Sequence, residues 1–191
     1  YDKYAILYRT HSQSRILEMI LQSYAIPYKV YGGISFFSRS EVKDIIAYLR
    51  LICNGADDVA FTRVVNVPRR NIGAASLEEL RTEAVQRDLP LFSVVLDPQT
   101  LSLRTRAKFA LFTDIIEEFY QLYGTIPLQQ LTEQLLKRIG YETYLKEDKK
   151  QNFESRLENI QELLGYIGEF ETALRFFLYP NPTSQEISEI Q

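Results

Sequence analysis

The chain has 191 residues, 46% hydrophobic and 25% charged, enough for one large domain or for a small domain beside part of another. A formal net charge of -3 excludes a surface coated in basic residues, so any contact with nucleic acid has to come from local patches. A single cysteine, Cys53, and a single histidine, His11, exclude an intramolecular disulfide and a Cys/His metal centre, and a reduced, cytoplasmic setting is expected. No apolar run approaches the roughly 18 residues of a membrane span, so no membrane partner is expected. The chain opens on Tyr1 inside what looks like a strand, and it reads as a piece of a longer protein.

The first thirty residues alternate between strand and helix. YAILYRT is a short run rich in β-formers. Ser12 can cap the helix that follows, and Ile16, Leu17, Ile20, Leu21 and Tyr24 fall on one face of it at helical spacing. Pro27 ends that helix, and YKVYG reads as a second strand closed by Gly32 and Gly33. The result is a partial β-α-β segment, too small to stand alone.

From Phe36 onward the signals are almost entirely helical, so the fold class expected is mainly α. Ser38 and Glu41 have capping-box spacing ahead of VKDIIAYLRLI, with Ile45, Ile46, Leu49 and Ile52 facing inward. Asp57 or Asp58 caps the next helix, VAFTRVVNV, and SLEELRTEAVQRD follows a turn. A short PLFSVVL segment precedes a long helix from about Leu103 to Tyr123, stopped by Gly124. Pro127 opens LQQLTEQLLKRI, which Gly140 ends, and a last helix covers roughly Asn152 to Phe170. The tail YPNPTSQEISEIQ reads as a linker.

The chain lacks a GxxxxGK[ST] phosphate loop and a GxGxxG turn. Paired acids such as Glu117 and Glu118 read as solvated helix faces, and no Ser/His/Asp spacing supports a nucleophile based on His11. No catalytic residue, metal ligand or bound cofactor is expected within the chain itself.

The most informative stretch is VVNVPRRNIGAASLEEL, Val64 to Leu80. A helix stops at Pro68, two arginines follow, and a new helix starts near Ala75. Two helices joined by a tight turn, with an apolar residue before a glycine, are the layout of a helix–hairpin–helix. In such a turn the glycine admits a phosphate close to the backbone, and the amides at the next helix start point at it. Arg69 and Arg70 then neutralise neighbouring phosphates without reading bases. The alternative is a helix-ending proline, a cap glycine and two solvated arginines.

Four blocks in order, AILYRTHSQSRILEMIL, PYKVYGGISFFSRSEVKDIIAYLRLI, FTRVVNVPRRNIGAASLEEL and KRIGYETYLKEDKKQNFESRLENIQELL, resemble the UvrD/PcrA/Rep group of superfamily 1 DNA helicases. Together they span almost the whole chain. The resemblance implies that residues 1–33 are the N-terminal part of the RecA-like motor domain 2A, with helicase motif IV, and that residues 34–191 are the helical 2B insertion. It implies an ATP-dependent helicase translocating 3′ to 5′, with ATP and Mg2+ held by another motor domain of the full-length parent. The implied partners are single-stranded DNA and the single/double-strand junction, domains 1A, 1B and 2A, and repair or replication proteins.

The same resemblance implies roles for particular residues. Arg9, Thr10 and His11 would lie on the single strand, with Gln13 and Arg15 in the same motif; the family usually has Asn where this chain has His11. The duplex-contacting turn of the family, GIG, reads Asn71-Ile72-Gly73 here, flanked by Arg69, Arg70 and Ala74, and Asn tolerates a left-handed backbone. Phe36 and Phe37 would pack the junction between domains. Tyr141 and Tyr144 follow Gly140 and read either as the border of a second DNA-facing turn or as packing, and Lys146, Lys149 and Lys150, offset by Glu147 and Asp148, read as a solvated loop. The rival reading is a protein-interaction or autoinhibitory module of the helicase with no intrinsic DNA binding.

Overall fold

The structure is a computed structural model that describes residues 4–8, 11–31, 35–148 and 152–178. Among them the chain is mainly α-helical and has no strand, one isolated bridge between Tyr123 and Ile126 aside. The helices are α1 (His11–Ser23), α2 (Ser40–Cys53), α3 (Asp58–Val64), α4 (Ala74–Arg87), α5 (Leu91–Leu96), α6 (Leu103–Leu122), α7 (Leu128–Arg138), α8 (Tyr141–Glu147) and α9 (Phe153–Leu178), with a 3-10 turn at Phe36–Ser38. The chain divides into two compact units, Tyr1–Lys43 and Asp44–Gln191.

In the first unit the expected β-α-β layout is not formed among the described residues: α1 is present, but residues 4–8 and 26–31 pair with nothing as strands. Two short strands without a third have no ladder to join, and Tyr4, Leu7 and Tyr31 stand 85%, 95% and 78% exposed. The apolar stripe of α1 is likewise uncovered. Ile16, Ile20 and Tyr24 are exposed, whereas Ser14 and Glu18 are buried. The Glu18 carboxylate draws that polar face inward by accepting from the Tyr28 hydroxyl (3.3 Å), the Phe36 N–H (3.1 Å) and the Ser35 hydroxyl. Ser38 closes the 3-10 turn and α2 begins at Ser40, so the helix starts later than a Ser38–Glu41 capping box requires.

The second unit is built around Phe61. Its ring is wholly buried on α3 and lies 5.5 Å edge-on from Phe112, 6.4 Å from Phe109 and 6.5 Å from Phe92, drawing α5 and α6 onto α3. From α2, Ile45, Tyr48, Leu51 and Ile52 are buried, and the Tyr48 ring sits 6.5 Å from Phe112. Burial at helical spacing is what turns the apolar stripes read in the sequence into one core.

Acidic side chains start the helices. Asp57 accepts from the Ala60 N–H (2.9 Å) and caps α3, while its neighbour Asp58 accepts from the Leu91 N–H (2.8 Å) at the start of α5. PLFSVVL is therefore a helix, pinned by an acid thirty-three residues earlier. Glu79 of α4 takes the Ser102 N–H (3.0 Å) and the Thr105 hydroxyl (2.6 Å) at the start of α6. Glu171 of α9 takes the Leu128 N–H (2.9 Å) at the start of α7. Those two helices pack closely at Gly168, where a Cβ would overlap the Gln129 side chain.

Two consequences follow for stability. Phe61→Ala removes the ring on which three aromatic contacts converge, so it should cost about 3–5 kcal/mol. Urea unfolding would show the midpoint falling at unchanged slope, and a loss under about 1 kcal/mol would deny Phe61 its central place. Burial also holds two phenols protonated: Tyr48 is pushed up to about 12 and Tyr141 further in the same direction. An unfolded tyrosine ionises near 10, so above that pH the folded chain binds more protons than the unfolded one, and stability falls as pH rises. The thermal midpoint should drop from about pH 10 to about pH 12, with Tyr48 and Tyr141 ionising only as the chain unfolds; a flat midpoint would mean that both phenols ionise freely in the folded state.

Candidate nucleic-acid interface

The turn between α3 and α4 is shaped by three side chains. Asn66 closes it: its side-chain amide donates to the Ile72 carbonyl (2.7 Å) and its side-chain oxygen accepts from the Ile72 N–H (3.2 Å). This clasp seats Ile72 in the core at 4% exposed. The residue on either side then faces outward, and Asn71 takes the left-handed conformation, φ 57°.

Gly73 adopts φ -75° and ψ 162°, an extended conformation open to any residue, and serves as the N-cap of α4 without a side chain to offer. Nothing lies within 4 Å of where its Cβ would be. Neither backbone strain nor packing inside the protein therefore demands glycine here, and the space it leaves opens to solvent. The Gly73 carbonyl accepts from Ser76 (3.1 Å) and Leu77 (3.2 Å) within the helix. At a helix start without a side-chain cap, the leading N–H groups point outward at the positive end of the helix dipole. Ala74 and Ala75 at that start are exposed.

The two arginines do different things. Arg69 is exposed and makes no ion pair among the described residues. Arg70, expected on the outer face, turns inward. Its Nη1 donates to the carbonyls of Val64 (3.0 Å), Val65 (3.2 Å), Val67 (3.3 Å) and Pro68 (3.2 Å), and its Nη2 donates to the Tyr48 hydroxyl (2.6 Å). The guanidinium carbon lies 5.2 Å from the Phe112 ring centroid and 5.9 Å from that of Tyr48. Its targets are the Val64 carbonyl at the end of α3 and three carbonyls of the turn just beyond it, a cluster of acceptors that attracts a planar cation. The Tyr48 hydroxyl in turn donates to the Val67 carbonyl. Burial raises its pKa and the Arg70 charge opposes the rise.

A second turn lies between α7 and α8. Gly140, at φ 66°, leads into α8, where the sequence had suggested a loop after the turn. Tyr141 is buried and donates to Asp44 Oδ2 (2.8 Å); Asp44 Oδ1 pairs with Arg63 Nη2 at 2.7 Å. Desolvation raises the Asp44 carboxyl, against the pull of Tyr141 and Arg63. Tyr144 lies half-buried with its ring 5.5 Å from that of Tyr141. Burial raises its pKa, and the Asp44 carboxylate pushes in the same direction. Lys146 pairs with Glu142 at 2.7 Å on the outer face of α8; Lys149 and Lys150 lie outside the described residues.

Of the residues expected on single-stranded DNA, Arg9 and Thr10 lie outside the described residues, as do the side chains of His11 and Arg15. His11 begins α1, Arg15 lies one turn further on, and Gln13 is exposed. Among the described residues no cluster of three or more His, Cys, Asp or Glu gathers, and no helix is long and apolar enough to cross a membrane. Sequence reasoning missed Asn66, Tyr48 and Phe112. An asparagine six residues before the buried position of the turn was the one readable signal; the other two emerge only when α2 and α6 pack.

Comparison with known proteins places these features in a family. The model of the UvrD-like helicase C-terminal domain matches residues 1–176. The chain is 40% identical over 169 residues to the ATP-dependent DNA helicase PcrA of Bacillus subtilis (strain 168), covering 87% of this chain and 23% of that protein. It is 37% identical over 190 residues to DNA helicase II of Escherichia coli (strain K12), covering 98% and 25%. It is 40% identical over 174 residues to the ATP-dependent DNA helicase Rep of the same strain, covering 88% and 26%. The chain thus spans about a quarter of the length of the curated relatives it matches. With a matching family model over nearly its whole length, the chain belongs to the UvrD-like helicase C-terminal domain family.

Proposed function

We propose that this chain supplies the strand-contacting and duplex-holding parts of an ATP-dependent DNA helicase that translocates 3′ to 5′. The observation that carries this reading is Gly73, a glycine that neither its backbone angles nor its neighbours require, facing open space at an uncapped helix start. A phosphate oxygen fits there, accepting from the leading amides of α4 while Arg69 offsets its charge. Asn71 and Ala74 flank the approach, and Ile72 anchors the turn from below. Such a contact reads backbone shape and carries no base preference, as a part that must slide along duplex requires.

In the same reading residues 1–33 belong to the motor domain 2A, where Arg9, Thr10, His11, Gln13 and Arg15 run along the single strand. Residues 34–191 form the 2B insertion, whose rotation against domains 1A, 1B and 2A regulates unwinding. The sequence carries no GxxxxGK[ST] phosphate loop to hold ATP and Mg2+. Both belong to the parent's other motor domain, and the chain alone hydrolyses no ATP.

Fluorescence anisotropy with a short duplex bearing a 3′ tail, over a salt series, tests the contact. Arg69→Ala should lower affinity and reduce the slope of log affinity against log salt by about 0.9, one phosphate's worth of counterion release. An unchanged slope would move the contact elsewhere, and no binding at low salt would favour a protein-docking or autoinhibitory role. Removing residues 1–33 should leave a cooperative thermal transition in 34–191, with improved solubility because the exposed apolar residues Tyr4, Leu7 and Tyr31 go with it. Loss of the transition would put the domain boundary elsewhere.

A further inference from the structure

The two adjacent arginines have the same charge and opposite orientations, and the difference assigns them separate tasks. Arg70 spends its fork on the protein. One terminal nitrogen faces four carbonyls, Val64, Val65, Val67 and Pro68, and the other meets the Tyr48 hydroxyl at 2.6 Å. Its charge lies over the Phe112 ring, 5.2 Å from the centroid. Tyr48 is 1% exposed, so it is closed off from a ligand at the surface, and its hydroxyl meets the turn through Arg70 and the carbonyls of Val64 (3.4 Å) and Val67. The carbonyls held by Arg70 belong to the segment that sets where Arg69 starts and where Asn71 turns.

We propose that Arg70 is a positioning residue for the turn, held by Tyr48, and that it fixes the path of residues 64–68 so that Arg69 and the amides after Gly73 converge on one phosphate. This rests on the reading of the turn as a duplex contact. The specific requirement is the planar fork rather than the charge: Nη1 shares its two N–H groups among the carbonyls while Nη2 reaches the Tyr48 hydroxyl, and a lysine ammonium, a single point charge, cannot occupy both places together. A residue that met phosphate directly would accept that exchange far better. Arg70 therefore distinguishes shape from charge within a single pair of neighbours.

The test compares Arg70→Lys, Tyr48→Phe and Arg69→Ala in the whole chain, by duplex binding over a salt series and by amide hydrogen exchange without DNA. Arg70→Lys should weaken binding about tenfold at a given salt and leave the salt slope unchanged. Tyr48→Phe removes one buried oxygen, retains the ring, and should shift binding in the same direction with the slope again unchanged. Both should speed exchange at Asn71, Ile72, Ala74 and Ala75 ahead of the rest of the chain, whereas Arg69→Ala should lower the slope and leave exchange alone. Wild-type binding in Arg70→Lys, a reduced salt slope in either Arg70→Lys or Tyr48→Phe, or exchange that rises equally through α2, α3 and α6 would each overturn the proposal. Failure of the wild-type chain to bind duplex would defeat the reading of the turn as a DNA contact. In that event the exchange comparison still decides whether Arg70 and Tyr48 set the turn, and unchanged exchange in both variants would show that they do not.

Discussion

The carbonyl oxygens at the end of α3 have to find donors inside the protein. The helix has only seven residues, and its last turn ends against the aromatic cluster around Phe61. A buried acceptor left without a partner costs about 1–3 kcal/mol, and a helix of this length leaves several. Water is kept from the apolar side, so the chain bends back within six residues and returns Arg70 to the helix it has just left. The bend is the turn itself. Asn66 closes the same loop from the other side by binding both backbone groups of Ile72. The outward face, with Asn71, Gly73 and Arg69 presented together, is thus a by-product of satisfying the inward one.

A second buried polar centre uses the same device. Asp44 on α2 meets Arg63 from α3 and Tyr141 from α8. Taking a carboxylate out of water is costly, and burial raises its pKa despite both partners. Such a centre is weak evidence for stability and better evidence for register. It admits one arrangement of the three helices, because any slip leaves a charge unpaired. Arg156, itself buried, pairs with Asp148 at 3.0 Å just beyond α8 and ties α9 to the same corner. The Gly140 turn, which leads into Tyr141, is fixed in this way.

Much of the helical unit was legible because its signals are local. Gly124 and Gly140 sit at positive φ where the apolar pattern stops, and Asp57 caps where an acid precedes a helical run. The left-handed residue of the turn was also legible as Asn71, from the tolerance of asparagine for that conformation. What the sequence hid depends on distant partners. Nothing near Asp58 announces that it caps Leu91, and nothing beside Arg70 announces a tyrosine twenty-two residues earlier. Arg69 and Arg70 are indistinguishable as letters, and only the fold separates them. The strands expected before and after α1 are not seen among the described residues for the opposite reason: local propensity is present, and those residues offer no ladder to receive it.

In the proposed reading, the charge distribution around the turn sets how firmly it holds DNA. The chain is acidic overall, and the cations near the candidate interface are mostly committed: Arg63 to Asp44, Arg70 to carbonyls, Arg138 to Glu118 at 2.9 Å and Lys146 to Glu142. What faces outward at the turn is Arg69 and the end of a helix dipole, equivalent to about half a charge. A grip of that kind neutralises one or two phosphates, whereas tight non-specific binders use many. In the proposed reading this weakness is functional. A duplex that must advance past the domain at every step is better met by a shallow, quickly broken contact held in the right place than by a strong one. Rigidity in the turn then matters more than charge, because a single weak contact contributes only when it is already aligned. In that reading the inward-turned arginine and the exposed one are the two halves of the arrangement, one supplying alignment and the other attraction.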